Sequence, residues 1–111
     1  MSDCVFCKIA TGELPSRKVR EDVHLLAFHD LDPKAETHVL VMPREHFRDL
    51  DDFAANGGDG TATVRFLSDT ARELGVEGRY RVIANVGEAA GQTVHHLHWH
   101  ILAGPHLPGF A

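Results

Sequence analysis

Nine histidines stand among the 111 residues of this chain. Three of them take alternate positions in His96-Leu97-His98-Trp99-His100-Ile101-Leu102. Alternation at period 2 predicts a β-strand from Val94 or His96 to Leu102, with the three imidazoles on one face. At a rise of roughly 3.3 Å per residue, the outer two rings start about 13 Å apart, too far to chelate one small ion together. Such a row suits neighbouring but different tasks: a nucleophile, a proton partner, and an orienting or metal-binding group.

Other residues with chemical potential lie around this segment. Immediately upstream, Asn85-Val86-Gly87-Glu88-Ala89-Ala90-Gly91-Gln92-Thr93 is a polar, glycine-bearing loop. Gly91 permits close backbone approach, while the Thr93 hydroxyl and Asn85 amide are neutral donors suited to phosphoryl oxygens. Near the start, Cys4-Val5-Phe6-Cys7 can supply two corners of a zinc tetrahedron, although two free thiols or a redox pair fit the same spacing. His38 opens an apolar run and His46 follows it, and each alone is an ordinary surface or satisfied histidine. Asp30 could accept hydrogen bonds from ribose hydroxyls, although a loop aspartate more often caps a turn. His24, His95 and His106 carry no signal beyond an exposed polar position.

The elements that must position these groups follow from the same residues. Cys4 to Ala10 reads as a short helical turn ended by Thr11-Gly12. Lys18 to Glu21 and Leu25 to His29 read as two short strands around a turn at Glu21-Asp22. His38 to Met42 is a strand stopped by Pro43. His46 to Phe53 is a short amphipathic turn, and Asn56 to Gly60 is a break. From Thr61 to Leu74, Val64, Leu67, Ala71 and Leu74 recur at helical spacing, and Gly75 is a sensible stop. Tyr80 to Ala84 is a further strand. Strands grouped around one long helix predict an α+β fold with an antiparallel sheet.

Composition narrows the function classes. One domain spanning residues 1–111 is expected, with no repeat, low-complexity tract or linker. The hydrophobic content of 43% and charged content of 24% are those of an ordinary globular protein. No run approaches the roughly 20 apolar residues of a membrane span. A net charge of −5 argues against nucleic acid as a partner, but not against one small phosphate ester. The first residues lack the pattern of a signal peptide, so a cytoplasmic location and reduced cysteines are expected.

Taken together, the motifs resemble the histidine-triad (HIT) superfamily, whose signature alternates histidine with apolar residues as His96 to Leu102 does. The resemblance runs from about Asp3 to Gly104, leaving a short tail at 105–111. It includes Phe6-Cys7-Lys8-Ile9, Leu26 to Asp30, Thr37 to His46 and Gly91-Gln92-Thr93-Val94. The Ala103-Gly104 ending resembles the Hint branch of purine nucleoside phosphoramidases. The resemblance implies a five-stranded antiparallel sheet with one long and one or two short helices. It also implies a two-fold homodimer joined through the long helix and an edge strand.

For the site, the resemblance implies a purine nucleoside monophosphate or phosphoramidate as ligand. His98 would be the nucleophile, with His100 contacting phosphoryl oxygens or protonating the departing amine. His38 would align the triad, and His96 would complete it. Asn85, Gly91, Gln92 and Thr93 match the phosphate side, and Asp30 the ribose side. Val5, Phe6, Ile9, His29, Leu31 and Leu40 match the nucleoside pocket. Some bacterial relatives of this kind hold a structural zinc, and the matching positions here are Cys4, Cys7, His46 and His96. No Mg²⁺ site or Walker motif is visible, so imidazoles and neutral donors must handle the phosphate charge. Alternatives are cleavage of dinucleoside polyphosphates and a non-catalytic nucleotide sensor. Two departures bear on specificity: His95 stands where an aromatic residue is usual, and the tail lacks a tryptophan.

Overall fold

The structure is a computed structural model and describes residues 3–109. Five antiparallel strands form one sheet in the order β1-β2-β3-β5-β4: β1 Lys18–Glu21, β2 Leu25–His29, β3 Thr37–Pro43, β4 Arg81–Ile83 and β5 Trp99–Ala103. Two six-residue helices, α1 (Val5–Ala10) and α2 (Leu50–Ala55), and the 14-residue α3 (Gly60–Glu73) complete an α+β architecture. None of these helices is long and apolar enough to cross a membrane.

Local chemistry explains the boundaries. Cys4 caps α1, its sulfur accepting the Cys7 N–H at 3.2 Å. The Asp22 carboxylate accepts the N–H groups of His24 and Leu25 at 2.8 and 2.7 Å, which turns β1 into β2. Asp49 and Asp59 cap α2 and α3 in the same way as each other, through the N–H three residues on. Gly58 is obligatory, because a β-carbon there would lie 2.4 Å from the Phe53 ring.

The sheet has two covered faces. Leu25, Ala27, Val39, Val41, Leu97, Trp99 and Ile101 pack against Phe47, Phe53, Phe66 and Leu67 on the α2–α3 side. On the other side Leu26, Phe28, Leu40 and Met42 pack beneath Phe6 and Ile9 of α1. Burying one such side chain stabilises the fold by about 2 kcal/mol.

Three expectations need correction. The last strand begins at Trp99, so His96 and His98 precede it rather than lie within it. Its partner β3 ends at Pro43, which has no N–H to continue a ladder, and the Leu97 N–H bonds the Phe47 carbonyl instead at 2.7 Å. The alternation of faces survives, with Leu97, Trp99 and Ile101 all in the α3-side core. The buried stripe of α3 is Thr63, Phe66, Leu67, Thr70 and Ala71, while Val64 is 66% exposed. Thr70 occupies that face because its hydroxyl donates to the Phe66 carbonyl at 2.7 Å. The short amphipathic turn expected at His46–Phe53 becomes regular only at Leu50, where Asp49 caps α2, which runs on to Ala55.

Candidate active site and metal cluster

The triad feeds two separate clusters. At its start, His96 is fully buried and donates Nε2–H to the Pro43 carbonyl at 2.8 Å. That bond places the ring's lone pair on Nδ1, which lies 3.3 Å from Cys4 Sγ and 3.5 Å from Cys7 Sγ. His46 Nδ1 lies 3.3 Å from Cys7 Sγ. The four ligand atoms all fall within 4.8 Å of one another. A tetrahedral ion with Zn–S and Zn–N bonds of about 2.0–2.3 Å needs ligand spacings of about 3.4–3.8 Å. The expected metal residues Cys4, Cys7, His46 and His96 therefore converge, with an orienting carbonyl behind one histidine as metal sites require. Burial and the neighbouring Cys4 push the Cys7 thiol up to about 11, so a cation there would displace its proton.

At the other end, polarity is reversed. The Lys34 N–H donates to His38 Nδ1 at 3.0 Å, which leaves the His38 proton on Nε2. That nitrogen lies 2.9 Å from His100 Nδ1 and 3.4 Å from Asp30 Oδ2. His100 thus accepts at Nδ1 and carries its own proton on Nε2. The ligand atoms of Asp30, His38 and His100 also lie within 4.8 Å of one another. A metal at His38 Nε2 would need the proton moved to Nδ1, where it would face the Lys34 N–H donor. This second group is accordingly a hydrogen-bond relay.

His98 sits between the clusters. Its Nδ1 donates to the His96 carbonyl at 2.8 Å, leaving the Nε2 lone pair uncommitted. Burial holds the His98 pKa below the usual imidazole value, and the same cause pushes His100 down to about 4. Burial likewise lowers His38. Neutral imidazoles at neutral pH follow, and His98 presents an unprotonated Nε2. The Phe6 ring meets His98 edge-on at 5.0 Å and His96 at 5.9 Å, so α1 roofs the triad. Register places His100 between Leu40 of β3 and Ile83 of β4.

The remaining expected residues divide. In the loop before the triad, Gly91 has φ +97°, and a β-carbon there would lie 3.9 Å from the Asn85 amide. Asn85 and Gly91 are therefore neighbours, and Thr93 is exposed beyond them. Gln92 differs: it is 3% exposed and its amide is committed to backbone groups. Phe6, Ile9 and Leu40 belong to the core beneath α1, and Val5 and Leu31 are exposed. His29 pairs with Val39, whose side chain enters the opposite core, so register separates it from the triad face. His95 is exposed and lies 3.5 Å from Glu88. Two features of the site were absent from the reading of the sequence: the Pro43 carbonyl and the Lys34 N–H. Both are backbone groups, which residue types do not reveal.

Comparison with known proteins agrees with this geometry. The HIT domain family model matches residues 11–107. An uncharacterized 13.2 kDa HIT-like protein of Azospirillum brasilense is 44% identical over 106 residues, covering 93% of this chain and 87% of that protein. The structure of a histidine triad protein from Clostridium difficile superposes with a TM-score of 0.91 at 45% identity, covering 100% of this chain and 98% of that one. A HIT family hydrolase from Legionella pneumophila superposes with a TM-score of 0.84 at 37% identity, covering 96% of each chain. The chain belongs to the HIT domain family.

Proposed function

We propose that this chain is a hydrolase of nucleoside 5′-phosphoramidates that works through a covalent nucleotidyl-histidine. The observation that carries the reading is the bond from His98 Nδ1–H to the His96 carbonyl, which leaves Nε2 as a free lone pair. In the first step His98 Nε2 bonds to the α-phosphorus while the P–N bond to the amine breaks. The departing nitrogen takes a proton from solvent, while His100 Nε2–H donates a hydrogen bond to a phosphoryl oxygen. Water then bonds to phosphorus, the P–N bond to His98 breaks, and the nucleoside monophosphate leaves. The proton released by that water returns to solvent. Asn85, Thr93 and the N–H groups around Gly91 would hold the phosphoryl oxygens, and Asp30 the ribose. The base would rest against the outer edges of Val5 and Leu31.

HIT family hydrolases from Legionella pneumophila and Clostridium thermocellum share the fold. For the cysteine–histidine cluster, two thiols and two imidazoles at tetrahedral spacing suit zinc, as a structural ion tying α1 to the triad. A homodimer is the expected assembly, and both elements that would join it expose an aliphatic side chain: Val64 on α3 and Val82 on β4.

The test is AMP release from adenosine 5′-phosphoramidate, with intact mass recorded after brief mixing, on wild type and His98→Ala. Release that vanishes in a folded, nucleotide-binding variant is expected. Undiminished release would sink the reading. A higher kcat/KM on a dinucleoside tetraphosphate would move the substrate class instead.

A further inference from the structure

The loop preceding the triad is cross-tied through one buried side chain. Gln92 Oε1 accepts the Gly87 N–H at 2.8 Å. Its Nε2 donates to the Arg48 carbonyl at 2.8 Å and to the Val94 carbonyl at 3.0 Å. Backbone bonds close the same loop: Gln92 N–H and Ala90 N–H both donate to the Gly87 carbonyl, at 3.0 and 3.1 Å. One amide therefore joins three pieces of chain. They are the start of the loop, the residue two beyond His46, and the residue two before His96. A parallel strut lies alongside, the Leu97 N–H bonding the Phe47 carbonyl at 2.7 Å.

The chemistry of the amide limits what else Gln92 can do. A primary amide has two N–H donors, and both are used here. Its one spare valence is a carbonyl lone pair, which cannot bond a phosphoryl oxygen, itself an acceptor. The partners also fix which end is nitrogen, since two carbonyls face one end and an N–H faces the other.

We propose that Gln92 is a positioning residue that holds the phosphate loop in register with the backbone bearing His46 and His96, and that it does not touch the nucleotide. The inference rests on the nucleotide reading above. Without the amide, Gly87 to Thr93 loses its anchor while Asp30, α1 and the relay keep theirs. The loss therefore falls on the phosphate and spares the nucleoside.

The experiment compares AMP and adenosine binding by wild type and Gln92→Met, a variant that keeps the length and apolar stem but removes both donors. AMP affinity should fall about tenfold and adenosine affinity should stay within about twofold, the scale of one or two lost hydrogen bonds. With phosphoramidate, KM should rise by a similar factor while kcat changes less. Equal weakening of both ligands, or unchanged AMP binding, overturns the proposal. A second measurement needs no variant. In wild type the Gly87 amide and the Gln92 side-chain NH2 should exchange slowly with solvent, and saturating AMP should leave the NH2 exchange unchanged. Rapid exchange in the free protein, or NH2 protons protected only by AMP, refutes the brace. If wild type binds no AMP, the nucleotide reading fails by itself, and the exchange data still decide whether the brace exists.

Discussion

His96 and His100 lie four residues apart, yet the backbone addresses them with opposite polarity. A carbonyl, that of Pro43, takes the His96 proton and turns the ring's lone pair toward two sulfurs. An N–H, that of Lys34, claims the His38 lone pair and so turns a proton toward His100. Imidazoles on one short segment thus become candidate metal ligands at one end and hydrogen-bond donors in a relay at the other. What assigns the task is the hydrogen-bond partner of the far ring nitrogen, and not the histidine itself.

Variants can separate the two ends. The largest effect belongs to the histidine between them: His98→Ala should lower phosphoramidate turnover by at least about a thousandfold while leaving bound metal unchanged. Turnover and metal content measured on the same sample check this. Next, His38→Gln breaks the relay and should cost about a hundredfold in kcat through misalignment of His100. Its metal content should match wild type, and a variant that lost metal would erase the distinction between the clusters. In the opposite cluster, Cys7→Ser should abolish metal retention by elemental analysis and lower Tm by at least about 5 °C. The smallest effect is the acid slope of stability. Above pH 6.5 His100 is neutral in folded and unfolded chains and contributes no pH dependence. Between 6.5 and about 4 the unfolded chain binds a proton that the buried ring refuses, so stability falls as pH falls. Below that window both states are protonated and the slope vanishes. The fall of Tm with falling pH across this window should be smaller for His100→Gln than for wild type.

Much of this was legible in residue types because period and punctuation are local. The β1–β2 turn at Asp22, the α1 stop at Gly12 and the triad's facing all follow from neighbours within a few positions. The convergence of Cys4, Cys7, His46 and His96 was legible only through resemblance, since those residues are up to 92 positions apart. Other features depended on partners that no local pattern displays. The start of β5 at Trp99 depends on where Pro43 ends the neighbouring strand. Helix α3 buries Thr63 and Thr70 in place of Val64, because the hydroxyls can bond their own helix. Gln92 matched a phosphate position by its place in the loop, yet its partners at Arg48, Gly87 and Val94 consume the amide.

The six residues of α1 have a consequence for the order in which the molecule assembles. A helix that short has no stability of its own in water. Its sulfur contacts reach residues 39 and 92 positions away, so they close among the widest loops in the chain. The sheet and α3 can form first, leaving the N-terminal segment to dock last onto a finished surface. Detachment of that segment as one unit would carry Phe6 off His98. An ion held by Cys4 and Cys7 would set how often the triad loses its roof without the rest of the fold opening.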